Sequence, residues 1–235
     1  VGSTAMAFAL RTGLIPVTVP KTVRIWATGR ASDCVSSKDV ILHLIGDPYF
    51  REEQWRESPV DTCVAQFGGP GLDTWSVDEL SVLTNMTVEG GLMTGIVEPC
   101  DRVRDFLVQR GRANEDSFVS PDRDAQYART IEVDLATIPL TVAAPGDSRN
   151  RMPLSKVEGV PVQNVVIASC TGGSLADLRV AARVLRGHKL HAGVRLTVIP
   201  SSANVARDAE REGLLSIFRD VGAVVTEPGC GSCIG

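Results

Sequence analysis

"NVVIASCTGGSLADLRVAARVLRG", from Asn164 to Gly187, decides how this chain is read. Asn164 to Ala168 is an almost continuous apolar run, the pattern of a strand buried on both faces of a parallel sheet. Ser174 then caps a helix, with Asp177 three residues on. Leu175, Leu178, Ala181, Ala182 and Leu185 form one apolar stripe before Gly187 stops it. Downstream, Leu196 to Ile199 reads as a second strand and Asn204 to Asp220 as helix with a break at Gly213. Ala223 to Thr226 is a third strand. The order is β-α-β-α-β, and right-handed crossovers make the three strands parallel.

That order gives three cysteines a common place. Cys170 follows the first of these strands directly, and Cys230 and Cys233 follow the third. Ligands collect at the carboxyl edge of an open parallel sheet, so thiols spaced C-x59-C-x2-C can meet there. Each lies in a small-residue stretch where backbone can approach sulfur closely. Blander readings stand beside this one. A single cysteine behaves as a small buried hydrophobe, and a C-x2-C pair alone suggests a redox couple or half a zinc site. A thioredoxin-like pair would leave Cys170 without a role. Structural zinc needs a fourth ligand, but His188 and His191 follow the far end of the Ser174 helix, and His43 lies well upstream. Three thiolates without a fourth ligand suit an iron–sulfur cluster with one open iron better than zinc.

Composition bounds the remaining possibilities. The 235 residues are 43% hydrophobic and 22% charged, as in ordinary globular chains. A net charge of −4 argues against nucleic acid or anionic membrane as the main partner. No apolar run reaches the roughly 18 residues of a membrane helix, and a cytoplasmic protein is expected. Six cysteines are too few for a disulfide scaffold of this length. Val1 to Leu10 reads as the middle of a helix without an initiator Met, so the chain is taken as a piece of something longer.

The first half is less regular. Val23 to Ala27 is a short strand, and Ser36 to Asp39 caps a helix over Val40 to Ile45, ended by Gly46. Asp47 to Thr74 reads mostly as loop, with a short strand at Cys63 to Phe67. A helix begins at Ser76 and is expected to run to Gly90-Gly91. A strand at Thr94 to Val97, a helix at Arg102 to Arg110 and a strand at Thr130 to Leu135 follow. Pro139 to Pro161 holds four of the thirteen prolines and no helical period, and makes the best domain boundary.

"SCTGGSLADLRVAARVLRG", "GVRLTVIPSS", "AEREGLLSIFRDVGA" and "EPGCGSCIG" together resemble the cluster-binding domain of the aconitase superfamily. The likeness is strongest to the large subunits of prokaryotic 3-isopropylmalate dehydratases and homoaconitases. "GSTAMAFALRTG" with "VPKTVRI" resembles the junction of the family's first and second domains, and "TNMTVEGG" its Asn-Met-x-x-Glu element. The resemblance implies an aconitase-like α/β fold: three-layer α/β/α domains with parallel-sheet βαβ units around an iron–sulfur site. Residues 1–20 would end a first domain, 21–145 form a second, and 146–235 a third, cluster-binding domain that is incomplete at its C-terminus.

The resemblance also implies roles. Cys170, Cys230 and Cys233 match the three ligands of a [4Fe–4S] cluster. Asn85 and Glu89, four apart and therefore on one face if helical, match polar residues that approach the cluster, with Glu89 directed at the departing hydroxyl. Gly172 stands where the family usually has Asn. The family's Asp-Ser-His segment, its carboxylate-binding arginines and its mobile base-bearing domain lie outside this sequence. The implied reaction is a dehydration and rehydration that moves a hydroxyl on a small di- or tricarboxylate. The expected substrate is 3-isopropylmalate, as in leucine biosynthesis, with homocitrate or citrate as alternatives. A small swivelling subunit or fused domain would carry the base, and this piece alone is expected to be inactive. Two other classes remain open: a zinc- or cluster-stabilised interaction module, and a thiol redox protein using Cys230 and Cys233.

Overall fold

The computed structural model describes residues 3–15, 18–50, 63–112 and 118–231. Helix α1 (Ser3–Thr12) leads to strand β1 (Lys21–Thr28), in which Val23, Ile25 and Ala27 are buried on one face. Helix α2 (Ser37–Ile45) starts at a reciprocal cap: Ser36 Oγ accepts from the Asp39 amide, and the Asp39 carboxylate accepts from the Ser36 amide. It buries Val40, Ile41, Leu44 and Ile45 against β1. Strand β2 (Cys63–Gly68) follows, and helix α3 (Val77–Asn85) repeats the same cap with Ser76 and Glu79. Strand β3 (Thr94–Val97), helix α4 (Asp101–Val108) and strand β4 (Arg129–Asp134) complete this part.

The first sheet has the order β3-β2-β1-β4, and all its pairings are parallel. Two crossovers in one direction place α2 and α3 on the same face, where Leu80 and Leu83 join the core of β1 and β2. The chain then returns past β1; Val103 of α4 still packs on the α2–α3 side, whereas Tyr127, just before β4, lies on the opposite face. There Gln66 Nε2 donates to the Tyr127 hydroxyl at 2.9 Å and to Glu98 Oε1 at 2.8 Å, while Arg24 Nε donates to Glu98 Oε1 at 2.9 Å. The result is the expected three-layer α/β arrangement built on a parallel sheet.

Between the sheets, Pro139 to Pro161 contains a short antiparallel hairpin, β5 (Thr141–Ala143) and β6 (Arg151–Pro153). It docks on α2. The Thr141 amide donates to Asp39 Oδ1 at 2.7 Å, and the Arg151 guanidinium donates to the His43 carbonyl oxygen.

The second sheet runs β7 (Asn164–Ala168), β8 (Arg195–Ile199) and β9 (Val224–Val225), with parallel pairing in that order. Helix α5 (Leu175–Leu185) links the first two strands, and α6 (Ala203–Arg211) and α7 (Leu214–Val221) link the last two. Gly213, at φ 73°, makes the break between α6 and α7. Leu178, Ala182, Leu196, Val198 and Phe218 form a separate core. Truncating the fully buried Phe218 to Ala would cost about 3–5 kcal/mol.

One expectation fails here. β7 is not buried on both faces: Val166 is 44% exposed and Val224 on β9 is 53% exposed. Both crossovers run the same way along the sheet, so their helices cover one face, and no described helix covers the other.

Candidate metal centre

The carboxyl edge of the second sheet is shaped by two turns. β7 ends in a 3-10 turn, Ser169–Thr171, whose first residue has φ 66°. Among the described residues this is the one non-glycine with positive φ, a conformation that costs an L-residue roughly 1–2 kcal/mol. The turn is held in three places. The Gly173 amide donates to Ser169 O at 2.9 Å, and the Ser201 amide donates to Gly173 O at 2.9 Å. The buried Ser169 hydroxyl donates to Gly229 O at 2.8 Å. A side chain at Gly173 has no room, since its Cβ would stand 2.5 Å from Ile199 O and 2.8 Å from Ser169 N.

The Ser169–Gly229 bond brings the turn carrying Cys170 to the turn carrying Cys230. Both thiols are exposed and free of disulfides. Cys233 lies outside the described residues. Among the described residues no group of three His, Cys, Asp or Glu side chains is placed to hold a metal ion. His188 and His191 follow the C-terminus of α5, the end away from Cys170, so neither completes a zinc set. The donors present are soft thiols at an open sheet edge, a set that fits an iron–sulfur cluster and not a hard cation.

The first lobe, the part built on the β3-β2-β1-β4 sheet, reaches this edge through two described side chains. Asn85 Nδ2 makes a long 3.5 Å approach to the Cys170 carbonyl oxygen, and Lys38 Nζ donates to Thr171 Oγ1 at 3.2 Å. Lys38 belongs to the capping segment of α2, and sequence reasoning misses it as a site residue. Nothing local marks it, because its partner lies 133 positions away.

The expected shared helical face of Asn85 and Glu89 is not found. α3 ends at Asn85, and Glu89 lies in a separate 3-10 turn, Val88–Gly90. The Thr87 hydroxyl donates to Thr84 O at 2.7 Å, satisfying a carbonyl at the helix end, and Gly91 turns left-handed at φ 79°. Buried Gly90 packs so closely on Ile45 that a Cβ there would lie 2.8 Å from Ile45 Cγ2. Both Asn85 and Glu89 are exposed. The Glu89 carboxylate has no partner among the described residues, while its carbonyl oxygen accepts from the Ser148 hydroxyl at 3.4 Å.

Comparison with known proteins gives this edge a family context. The model of the aconitase family (aconitate hydratase) matches residues 1–159 and 155–235. The chain belongs to the aconitase family. It is 37% identical over its whole length to the 3-isopropylmalate dehydratase large subunit of Clostridium kluyveri, covering 54% of that protein. It is 39% identical to 3-isopropylmalate dehydratase large subunit 1 of Pyrococcus furiosus, again over the whole chain and 54% of the relative. The chain therefore spans about half the length of these family members. The holo-form crystal structure of Thermococcus kodakaraensis aconitase X aligns with 90% of this chain and 44% of its own. That alignment has 14% identity and a TM-score of 0.47, too low to add to the fold argument.

Proposed function

We propose that this chain is the cluster-binding part of the large subunit of an iron–sulfur hydro-lyase of the 3-isopropylmalate dehydratase type. It would act in the cytoplasm on a small hydroxy di- or tricarboxylate. The carrying observation is the Ser169–Gly229 bond, which joins the Cys170 and Cys230 turns at the sheet edge where family membership leads one to look for ligands. Family membership and whole-length identity to large subunits support the reaction class.

In this reading Cys170, Cys230 and Cys233 hold a [4Fe–4S] cluster. When bound, the cluster supplies an iron lacking a cysteine ligand, a Lewis acid for the substrate hydroxyl. The chain's own groups do the rest of the local work. Asn85 steadies the Cys170 turn through its carbonyl oxygen. Glu89, exposed and without an ion pair among the described residues, is available to hydrogen-bond the departing hydroxyl and hold its proton. A small swivelling partner, separate or fused, contributes the base. No net electron transfer is required, since water leaves and returns across one C–C bond.

The test uses the full-length chain with its small subunit, prepared anaerobically and supplied with 3-isopropylmalate. Turnover in the wild type, with kcat reduced by about 10²-fold or more in Glu89→Gln, supports the reading. An intact, cluster-free protein without turnover overturns it.

A further inference from the structure

Lys38 stands second in α2 and is half-buried. Its ammonium donates to Thr171 Oγ1, the residue after Cys170. The adjacent carboxylate does not serve it. Asp39 Oδ2 accepts from the Ser36 amide at 2.8 Å and from the Ser36 hydroxyl at 2.6 Å, and Oδ1 accepts from the Thr141 amide at 2.7 Å. Among the described residues Lys38 forms no ion pair. A partly buried ammonium resting on a neutral hydroxyl lacks the attraction that normally offsets its desolvation. The negative charge that could complete the arrangement is a thiolate at Cys170, one residue from the contact.

We propose that Lys38 is a positioning residue for the cysteine site: it fixes the Thr171 end of the Cys170 turn and supplies countercharge to a thiolate-ligated, net negative group. This rests on the reading of Cys170, Cys230 and Cys233 as cluster ligands. Asn85 and Lys38 then grip consecutive residues of one turn from two helices of the first lobe. The charge has a separable consequence from the grip. Net charge near a cluster sets its reduction potential, whereas a hydrogen bond to the turn sets how tightly the turn is held.

The experiment reconstitutes the full-length protein anaerobically and measures cluster reduction potential and the rate of bleaching by an iron chelator. Lys38→Met, nearly isosteric but uncharged, should lower the potential and speed bleaching about tenfold. Lys38→Arg should keep the wild-type potential. Thr171→Val, which keeps the ammonium and removes its acceptor, should speed bleaching without lowering the potential. A wild-type potential in Lys38→Met, or wild-type bleaching in Thr171→Val, overturns the inference while leaving the cluster reading standing. A wild type that holds no cluster overturns both.

Discussion

The Ser169 hydroxyl donates to the carbonyl oxygen of Gly229 at 2.8 Å, fastening the Cys170 turn to the Cys230 turn across the end of β8. Ser169 also sits at φ 66°, so the residue both strains the backbone and ties it. These effects can be separated. Ser169→Ala should lower unfolding stability by about 1 kcal/mol and release a bound cluster several-fold faster. Ser169→Gly loses the same bond but relieves about 1 kcal/mol of strain, so its melting temperature should recover while cluster release stays fast. Wild-type cluster retention in Ser169→Gly would show that the tie does not matter to the site.

Gly172 and Gly173 should respond oppositely to a side chain. At Gly172 an added Cβ meets Ala168 O at 3.2 Å, a contact the turn can absorb by a few tenths of an ångström. Gly172→Asn should fold with near-wild-type stability. At Gly173 the clash is with backbone on both sides, so Gly173→Ala should destabilise by about 2 kcal/mol or more. Thermal unfolding of the two variants checks this, and equal melting temperatures would contradict the described turn.

The second lobe was readable because its signals are local. Ser174 with Asp177, the apolar stripe of α5, and the stops at Gly187 and Gly213 each lie within a few residues of the feature they set, and the strands appear where the apolar runs stand. The open face of β7 was not readable. Val166 looks the same in sequence whether a layer covers it or not, and the answer depends on the direction of the crossovers. The shared helical face expected of Asn85 and Glu89 is absent for a subtler reason. Gly90-Gly91 advertises the stop, but Gly90 must pack on Ile45, and the chain leaves the helix four residues earlier to bring it there. Lys38 is a purely tertiary contact.

Stability should carry a histidine component. Burial first, then the nearby Arg151, push His43 below the ordinary imidazole value, with Asp47 partly opposing. The folded chain thus prefers neutral His43, while the unfolded chain takes up a proton near pH 6.5. The contribution is fully present above that pH and is lost progressively as pH falls toward the lower folded value. Chemical denaturation at stepped pH should show this loss in the wild type and not in His43→Gln. Parallel pH profiles would refute the assignment.

If the proposed cluster reading holds, oxygen acts first on the iron that no cysteine would hold. Brief air exposure of the full-length chain with its proposed small partner should then abolish turnover, and ferrous iron with thiol should restore it. Turnover indifferent to both treatments would argue for chemistry that does not use an open iron.

The most direct measurement is the iron and acid-labile sulfide content, with the visible spectrum, of the full-length protein reconstituted anaerobically as wild type and as single Cys→Ser variants. The account predicts a brown wild type containing iron and sulfide in equal amounts. The cluster should be lost in Cys170→Ser, Cys230→Ser and Cys233→Ser and kept in Cys34→Ser, Cys63→Ser and Cys100→Ser, with Cys63→Ser somewhat less stable because that thiol is buried in β2. A colourless wild type, or a cluster that survives Cys170→Ser, would contradict it.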